Sequence, residues 1–197
     1  MPSTVEGGQQ VNDIQTIIST LFESNDIIEL RCIRKGGIIQ KWTLAQDLPS
    51  LADELHAMNQ QGYNIYYGPN PRKGFGLSGD KNVALARCLF CDFDHLDPGD
   101  GCGRLEFVWN DIFLAGLPDP TLAVNSGHGL HVYWRLSEPM LNLVEWHDTQ
   151  ARLNERLGAD PTIKNPERIM RLPGFSNVKE KPYQDCFICW SPIDANR

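Results

Sequence analysis

Long apolar runs are missing from this 197-residue chain: no stretch approaches the roughly 20 residues that a bilayer-spanning helix needs. The N-terminus also lacks a basic flank followed by an apolar segment, so no secretory signal is expected and a cytoplasmic location is the default. Basic residues are outnumbered, 18 to 25, for a formal charge of -7. That deficit argues against strong non-specific affinity for nucleic acid, which rests mainly on neutralising phosphates. It leaves room for an enzyme that gathers carboxylates around metal ions and confines its cations to one groove. Residues 72–82 are rich in glycine, yet they contain neither Gly-x-Gly-x-x-Gly nor Gly-x-x-x-x-Gly-Lys-Ser/Thr. Repeats, low-complexity tracts and clear linkers are absent too. The length suits one domain, or two small lobes sharing a sheet.

Cysteine is present but sparsely placed. Four of the six form two Cys-x-x-Cys pairs, Cys88/Cys91 and Cys186/Cys189. The spacing within each pair suits zinc. Both pairs lie in apolar, β-like segments, however, where residues three apart face opposite sides of a sheet. They read as small buried hydrophobes with reduced thiols, and zinc is not expected.

Residues 1–10 read as a flexible arm. Ile14, Ile17, Ile18, Leu21 and Phe22 then fall at helical spacing, with Asn12 or Asp13 as cap. Residues 27–33 and 38–43 read as strands around a Lys35-Gly36-Gly37 turn. Leu51, Leu55 and Met58 mark a second helix, and residues 63–67 a strand. The glycine-rich loop follows, either as a mobile connection or as a loop from which Arg72 and Lys73 reach phosphates. Beyond it come a strand over 85–94, an acidic turn at Asp97 and Asp100, and a helix through Leu105, Val108, Trp109, Ile112 and Phe113. Two strands (121–125 and 130–136), an amphipathic helix over 143–157 closed by Gly158, and a last strand over 182–190 complete the order. Strands interleaved with helices and hairpins imply an α+β or mixed α/β protein, not a doubly wound parallel sheet.

Three stretches carry chemistry. The apolar strand ends in Cys91-Asp-Phe-Asp94, and alternation points Asp92 and Asp94 the same way, with Cα atoms about 6.5 Å apart. Two such carboxylates can converge on hard divalent cations. The alternative is a strand that merely runs into the acidic turn. In Ser126-Gly-His-Gly-Leu-His131, the glycines allow positive φ and let backbone N–H groups approach an anion. His131 is then placed to donate to a phosphate with the Ser126 hydroxyl nearby, while His128 reads as a solvated turn tip. In the third stretch Asp160 follows the helix end, and Arg168, Arg171 and Lys179 crowd the residues around Pro173-Gly174.

Together, Cys-Asp92-Phe-Asp94, Ser126-Gly-His-Gly-Leu-His131-Val-Tyr-Trp, Asp160-Pro and Arg171-Leu-Pro-Gly-Phe-Ser-Asn177 resemble the archaeo-eukaryotic primase superfamily, and within it the primase-polymerase domains of plasmid and phage replication proteins. Asn70-Pro71-Arg72 resembles a further element of that branch. The resemblance implies an RRM-like catalytic sheet (83–197) packed against an N-terminal α/β unit (11–82). It implies Asp92, Asp94 and Asp160 as ligands of two Mg²⁺ or Mn²⁺ ions, and Ser126, His131, Arg72 and Arg171 as nucleotide contacts. Lys73, Asn177 and Lys179 follow as further phosphate or nucleic-acid contacts. The implied function is template-directed nucleotidyl transfer, as a DNA primase or polymerase. Its partners would be nucleoside triphosphates, a single-stranded DNA template and a primer, with a helicase or accessory priming domain beyond them. The competing readings are a non-catalytic nucleic-acid-binding module of a replication initiator and a metal-dependent phosphoesterase.

Overall fold

Two antiparallel sheets divide the strands between them. The computed structural model describes residues 7–94 and 101–191. Along it run α1 (Gly7–Leu21), β1 (Ile27–Arg34), β2 (Gly37–Leu44), α2 (Ala52–Gln60), β3 (Asn64–Tyr67), β4 (Ala86–Phe93), α3 (Gly101–Leu114), β5 (Leu122–Asn125), β6 (Leu130–Met140), α4 (Leu143–Leu157), β7 (Met170–Arg171), β8 (Phe175–Asn177) and β9 (Gln184–Trp190). One sheet has the order β2-β1-β3-β7 and the other β4-β6-β5-β9-β8.

Local chemistry accounts for most of these elements. Ile14, Ile17, Ile18 and Leu21 place one face of α1 in the core. Gly36, at φ 91°, takes the positive φ at the second residue of the Lys35-Gly36 turn between β1 and β2, a position that favours glycine. The Asn142 side chain accepts from the amides of Val144 and Glu145 to open α4, and Gly158, at φ 61°, ends it in the left-handed region.

The β4-α3-β5-β6-α4 order, with β4 paired to β6, is the RRM-like arrangement anticipated above. The strands β4 and β5 and the first half of β6 are buried on both faces. Cys88 and Phe90 join Tyr67, Tyr133 and Ile14 in a core shared by both sheets and α1. Cys91 and Phe93 join Val132, Val108, Ile112 and Leu153 under α3 and α4. Two buried faces explain why β4 reads as a continuous apolar run. Cys88 and Cys91 lie on opposite faces, as alternation requires, and burial pushes the Cys88 thiol up to about 12 and the Cys91 thiol higher still.

Both outer strands of the five-stranded sheet are closed by side-chain amides. Gln150 of α4 accepts from the Phe90 amide (3.1 Å) and donates to the Phe90 carbonyl (2.5 Å), and Trp146 donates Nε1–H to the Cys88 carbonyl (2.9 Å). The spacing permits this, because four helical residues rise about 6 Å and two strand residues about 6.6 Å. At the far edge, Asn59 of α2 does the same for Ser176 on β8, accepting at 3.0 Å and donating at 2.9 Å. Gln150→Leu keeps the volume but strands a buried donor and a buried acceptor. It is expected to cost about 2–3 kcal/mol, measured as a lower urea midpoint at unchanged m-value.

Several sequence expectations change, and Asn12 and Asp13, expected as the cap of the first helix, lie inside it. The arm expected over 1–10 gives way to helix from Gly7, with residues 1–6 outside the described set. The acidic turn at Asp97 and Asp100 also lies outside it. β6 continues to Met140 instead of stopping at 136. The residues around Pro173-Gly174 hold β7 and β8, too short to show a period. β7 crosses back to pair with β3, so the division at 82/83 does not separate two sheets.

Candidate active site

Asp92 and His131 are direct cross-strand partners on β4 and β6, and Asp94 lies one residue past the end of β4. They open into a cavity of about 260 Å³ between the two sheets. Of the residues anticipated from sequence, Asp92, Asp94, Ser126, His131, Arg171, Asn177 and Lys179 line it.

The turn before β6 is built for close approach. Ser126 N–H donates to the Gly129 carbonyl, and Gly129 N–H donates back to Ser126 Oγ at 3.1 Å. The hydroxyl proton of Ser126 is thereby left for another acceptor. Gly127 has φ 92°, and a Cβ there would stand 2.9 Å from the Asn177 Cβ. A Cβ on Gly129 would stand 2.9 Å from both Asp94 Oδ1 and the Phe93 carbonyl oxygen. Only glycine lets the turn lie against the carboxylates.

Burial raises the Asp92 carboxyl to about 7, the charges of Asp94 and Asp160 add to the rise, and Arg168 opposes it. Its Oδ1 is buried without a hydrogen-bond partner. His131 Nε2 stands 3.7 Å from that oxygen, too far for a hydrogen bond. Burial, and then the Arg171 charge, push the imidazole down to about 3. His131 is therefore neutral near pH 7, and it can offer a phosphate one N–H but no charge. Arg171 donates to Asn64 Oδ1 at 2.6 Å and lies over the Tyr66 ring. Asn177 is buried and donates to the Ser126 carbonyl at 3.0 Å, so it braces the turn from behind.

Asp160 is brought close by its backbone, whose N–H donates to the Asp92 carbonyl oxygen at 3.0 Å. Its carboxylate turns instead onto Thr162, accepting from the amide and the hydroxyl at 2.8 and 2.9 Å. Among the described residues, no three carboxylate, imidazole or thiolate side chains form a ready metal-binding group. A divalent cation nevertheless fits the donors present. The orphaned Asp92 oxygen and the like charge of Asp94 are what a cation would relieve, and Asp160 could join by leaving Thr162.

Arg72 is placed differently from the phosphate-contact reading. It is buried, its Nε donates to Glu29 Oε2 at 2.7 Å, and its other nitrogens donate to the Asn70 and Glu167 carbonyls. Lys73 is exposed, donates to the Lys81 carbonyl and does not line the cavity. Glu29 also accepts from Arg31, which in turn reaches Glu167. Arg72, held by Glu29, thus clamps the segment that carries Arg168, and Asn70 Nδ2 adds a bond to the Pro166 carbonyl at 3.1 Å. His128, expected at a solvated tip, lines the cavity with its Nε2 buried and unpartnered. Tyr66 was not anticipated at all, because only the β3–β7 pairing brings it beside Arg171.

A family model described as the RepB DNA-primase N-terminal domain matches residues 104–187. A replication protein of Clostridium perfringens is 28% identical over 123 residues, which are 60% of this chain and 29% of that protein. The chain thus spans under a third of that relative's length. Among solved structures, the AEP domain of the cyanophage S-2L primase-polymerase is similar with a TM-score of 0.66 and 23% identity, over 93% of this chain and 94% of that one. The catalytic domain of primase RepB′, solved in complex with initiator DNA, is similar with a TM-score of 0.67 and 18% identity, over 93% and 85%. At these identities the structures establish the fold, and it is the fold that the motifs anticipated.

Proposed function

We propose, from the premise that the chain carries the fold of the primase-polymerase domains of plasmid and phage replication proteins, that its cavity catalyses template-directed transfer of a nucleotide to a DNA or RNA 3′-end. The observation that carries this reading is the paired carboxylates sharing one cavity with Ser126 and His131. Asp92 and Asp94, joined by Asp160, would hold two Mg²⁺ or Mn²⁺ ions. Such ions, when bound, supply charge neutralisation for the attacking 3′-hydroxyl and for the leaving pyrophosphate.

The remaining residues position. Ser126 and neutral His131 offer hydrogen-bond donors to the triphosphate, and Arg171 adds a fixed charge beside them. Arg168, anchored on the Thr162 carbonyl, faces the Asp92 charge and can balance the phosphate side of the same site. In-line transfer needs little more from a protein than this holding and electrostatic work.

Incubating the protein with a primed single-stranded template, both nucleotide sets and Mg²⁺ or Mn²⁺ should lengthen the primer. No extension with either sugar and either metal would overturn the reading. His131→Ala is expected to raise the nucleotide KM about tenfold with little change in kcat, the scale of one hydrogen bond to a charged group. An unchanged KM would remove that role. One observation favours a second reading, a non-catalytic nucleic-acid-binding module: the Asp160 carboxylate is tied to Thr162 and away from Asp92. DNA binding without extension would select it.

A further inference from the structure

Beside the catalytic cavity runs a wider groove of about 650 Å³. Its floor follows from strand alternation. Leu30 and Cys32 of β1, with Ile65 and Tyr67 of β3, point into the core, which leaves Ile33, Asn64 and Tyr66 on the opposite face. Ile33 and Asn64 are cross-strand partners, so this floor is continuous across the two strands. One rim is the β1–β2 turn with Arg34 and Lys35, and the other is Lys179 beyond β8. Tyr66 and Lys179 line the catalytic cavity as well, so the groove leads directly into it.

The charge is the opposite of the chain's. In a protein of net charge -7, this trough has three cations and no acidic residue among its lining side chains. Arg34 is held at the rim, with its guanidinium 4.3 Å from the Tyr63 ring centroid and Nη1 donating to the Gln61 carbonyl. The Tyr66 ring is steadied by the Arg171 guanidinium, 4.9 Å from its centroid. Cations along the rims with an aromatic and an aliphatic side chain on the floor are what a single nucleic-acid strand needs: phosphates at the edges, unpaired bases on the floor. A duplex would keep its bases from that floor, and one nucleotide would not fill a trough more than twice the size of the cavity it feeds.

We propose that this groove binds a single nucleic-acid strand and delivers it to the carboxylates, with Arg34, Lys35 and Lys179 on its phosphates and Tyr66 and Ile33 beneath its bases. The assignment of the delivered strand as template or primer rests on the nucleotidyl-transfer reading; the binding itself does not.

The test uses the full chain and a fluorescent oligodeoxythymidine about 20 nucleotides long, without nucleotide or divalent cation, read by anisotropy across a salt series. Affinity for the wild type should fall with salt. Lys35→Glu, at an exposed turn, should weaken binding about tenfold or more, and Arg34→Gln/Lys35→Gln should lower the salt slope by about 0.7 for each phosphate that is no longer neutralised. Unchanged affinity and slope in both variants would overturn the groove. So would equal or tighter binding of duplex, or a raised nucleotide KM in Lys35→Glu, since each assigns the cations elsewhere. An oligouridine of the same length binding equally well supports backbone-and-base recognition blind to the sugar. If the wild type binds the strand through Arg34 and Lys35 yet never extends a primer, the groove stands and nucleotidyl transfer falls. If it extends primers while both variants bind normally, the reverse holds.

Discussion

Asp92→Asn is expected to lower nucleotide incorporation by at least about 10²–10³-fold and, without divalent cations, to stabilise the protein. The activity loss follows from removing one of two carboxylates that would hold the metal ions, at least the scale lost when one charge-stabilising group is deleted. The stability gain follows from the surroundings of Asp92. Burial and the charges of Asp94 and Asp160 hold its carboxyl near 7, against an ordinary value of 3.8. A folded-state value above the unfolded one means that the unfolded chain loses this proton first as pH rises. Stability from this group is therefore intact below about pH 4, declines from pH 4 to 7, and is lowest above that. The span of about three units sets an upper bound near 4 kcal/mol. Asparagine carries no charge to penalise, so Asp92→Asn should recover roughly 2–4 kcal/mol at pH 8 and flatten the decline between pH 4 and 7. Thermal unfolding in chelator, repeated at pH 4 and pH 8, measures both. Mn²⁺ should raise the Tm of the wild type and leave the variant nearly unmoved. A variant less stable than the wild type at pH 8 in chelator would show that Asp92 is not under charge repulsion.

Glu29→Ala should have the largest effect on stability. The Glu29 and Arg72 side chains are both fully buried, and the carboxylate also accepts from Arg31 and Gln40. Deleting the acid leaves the Arg72 charge buried and unpaired, a loss of about 3–5 kcal/mol. For a chain of this size that lowers Tm by roughly 10 °C, measurable by calorimetry. Glu29→Leu/Arg72→Met should recover much of it, because removing both charges removes the desolvation cost as well. The double variant also separates two roles for Arg72. As a clamp, its loss is repaired in Tm by the partner change. As a phosphate contact, its loss would raise the nucleotide KM regardless of Glu29.

Arg72 also shows where sequence reasoning stops. A sequence gives the charge of a side chain but not the side of the backbone on which that charge finds its partner. Asn70-Pro71-Arg72 was legible as a motif; its use as a brace for Pro166 and Glu167 depends on Glu29, 43 positions away, which lies in an apolar strand and carries no motif. Asp92, Asp94, Ser126 and His131 were legible because each lies on a strand or turn whose geometry its own neighbours fix. Asp160 was half legible: its backbone meets β4 as the order of motifs implies, but a rotamer decides where its carboxylate points, and Thr162 two residues on sets that rotamer. Tyr66 and the groove beside it needed the pairing of a four-residue strand with a two-residue one, and nothing local in either announces it. Gln150 looked like one more polar residue of an amphipathic helix, although it faces inward and is fully buried.

Gln150 and Asn59 have a consequence for how copies of this protein meet one another. An unpaired strand edge is a template on which another chain can add a strand, the first step of edge-to-edge aggregation and of many β-mediated dimers. At Phe90 and at Ser176 those backbone groups are already occupied by amides of the same chain, each of which imitates a neighbouring peptide unit. The sheet that bears the carboxylates is thus sealed against strand addition at both of these sites. The outer strand β2 of the other sheet carries Lys41, paired with Glu54 at 2.8 Å, a charge of the kind that discourages such pairing. The edge at β2 is thus guarded by a charged side chain, whereas the edges at Phe90 and Ser176 are guarded by hydrogen bonds already made.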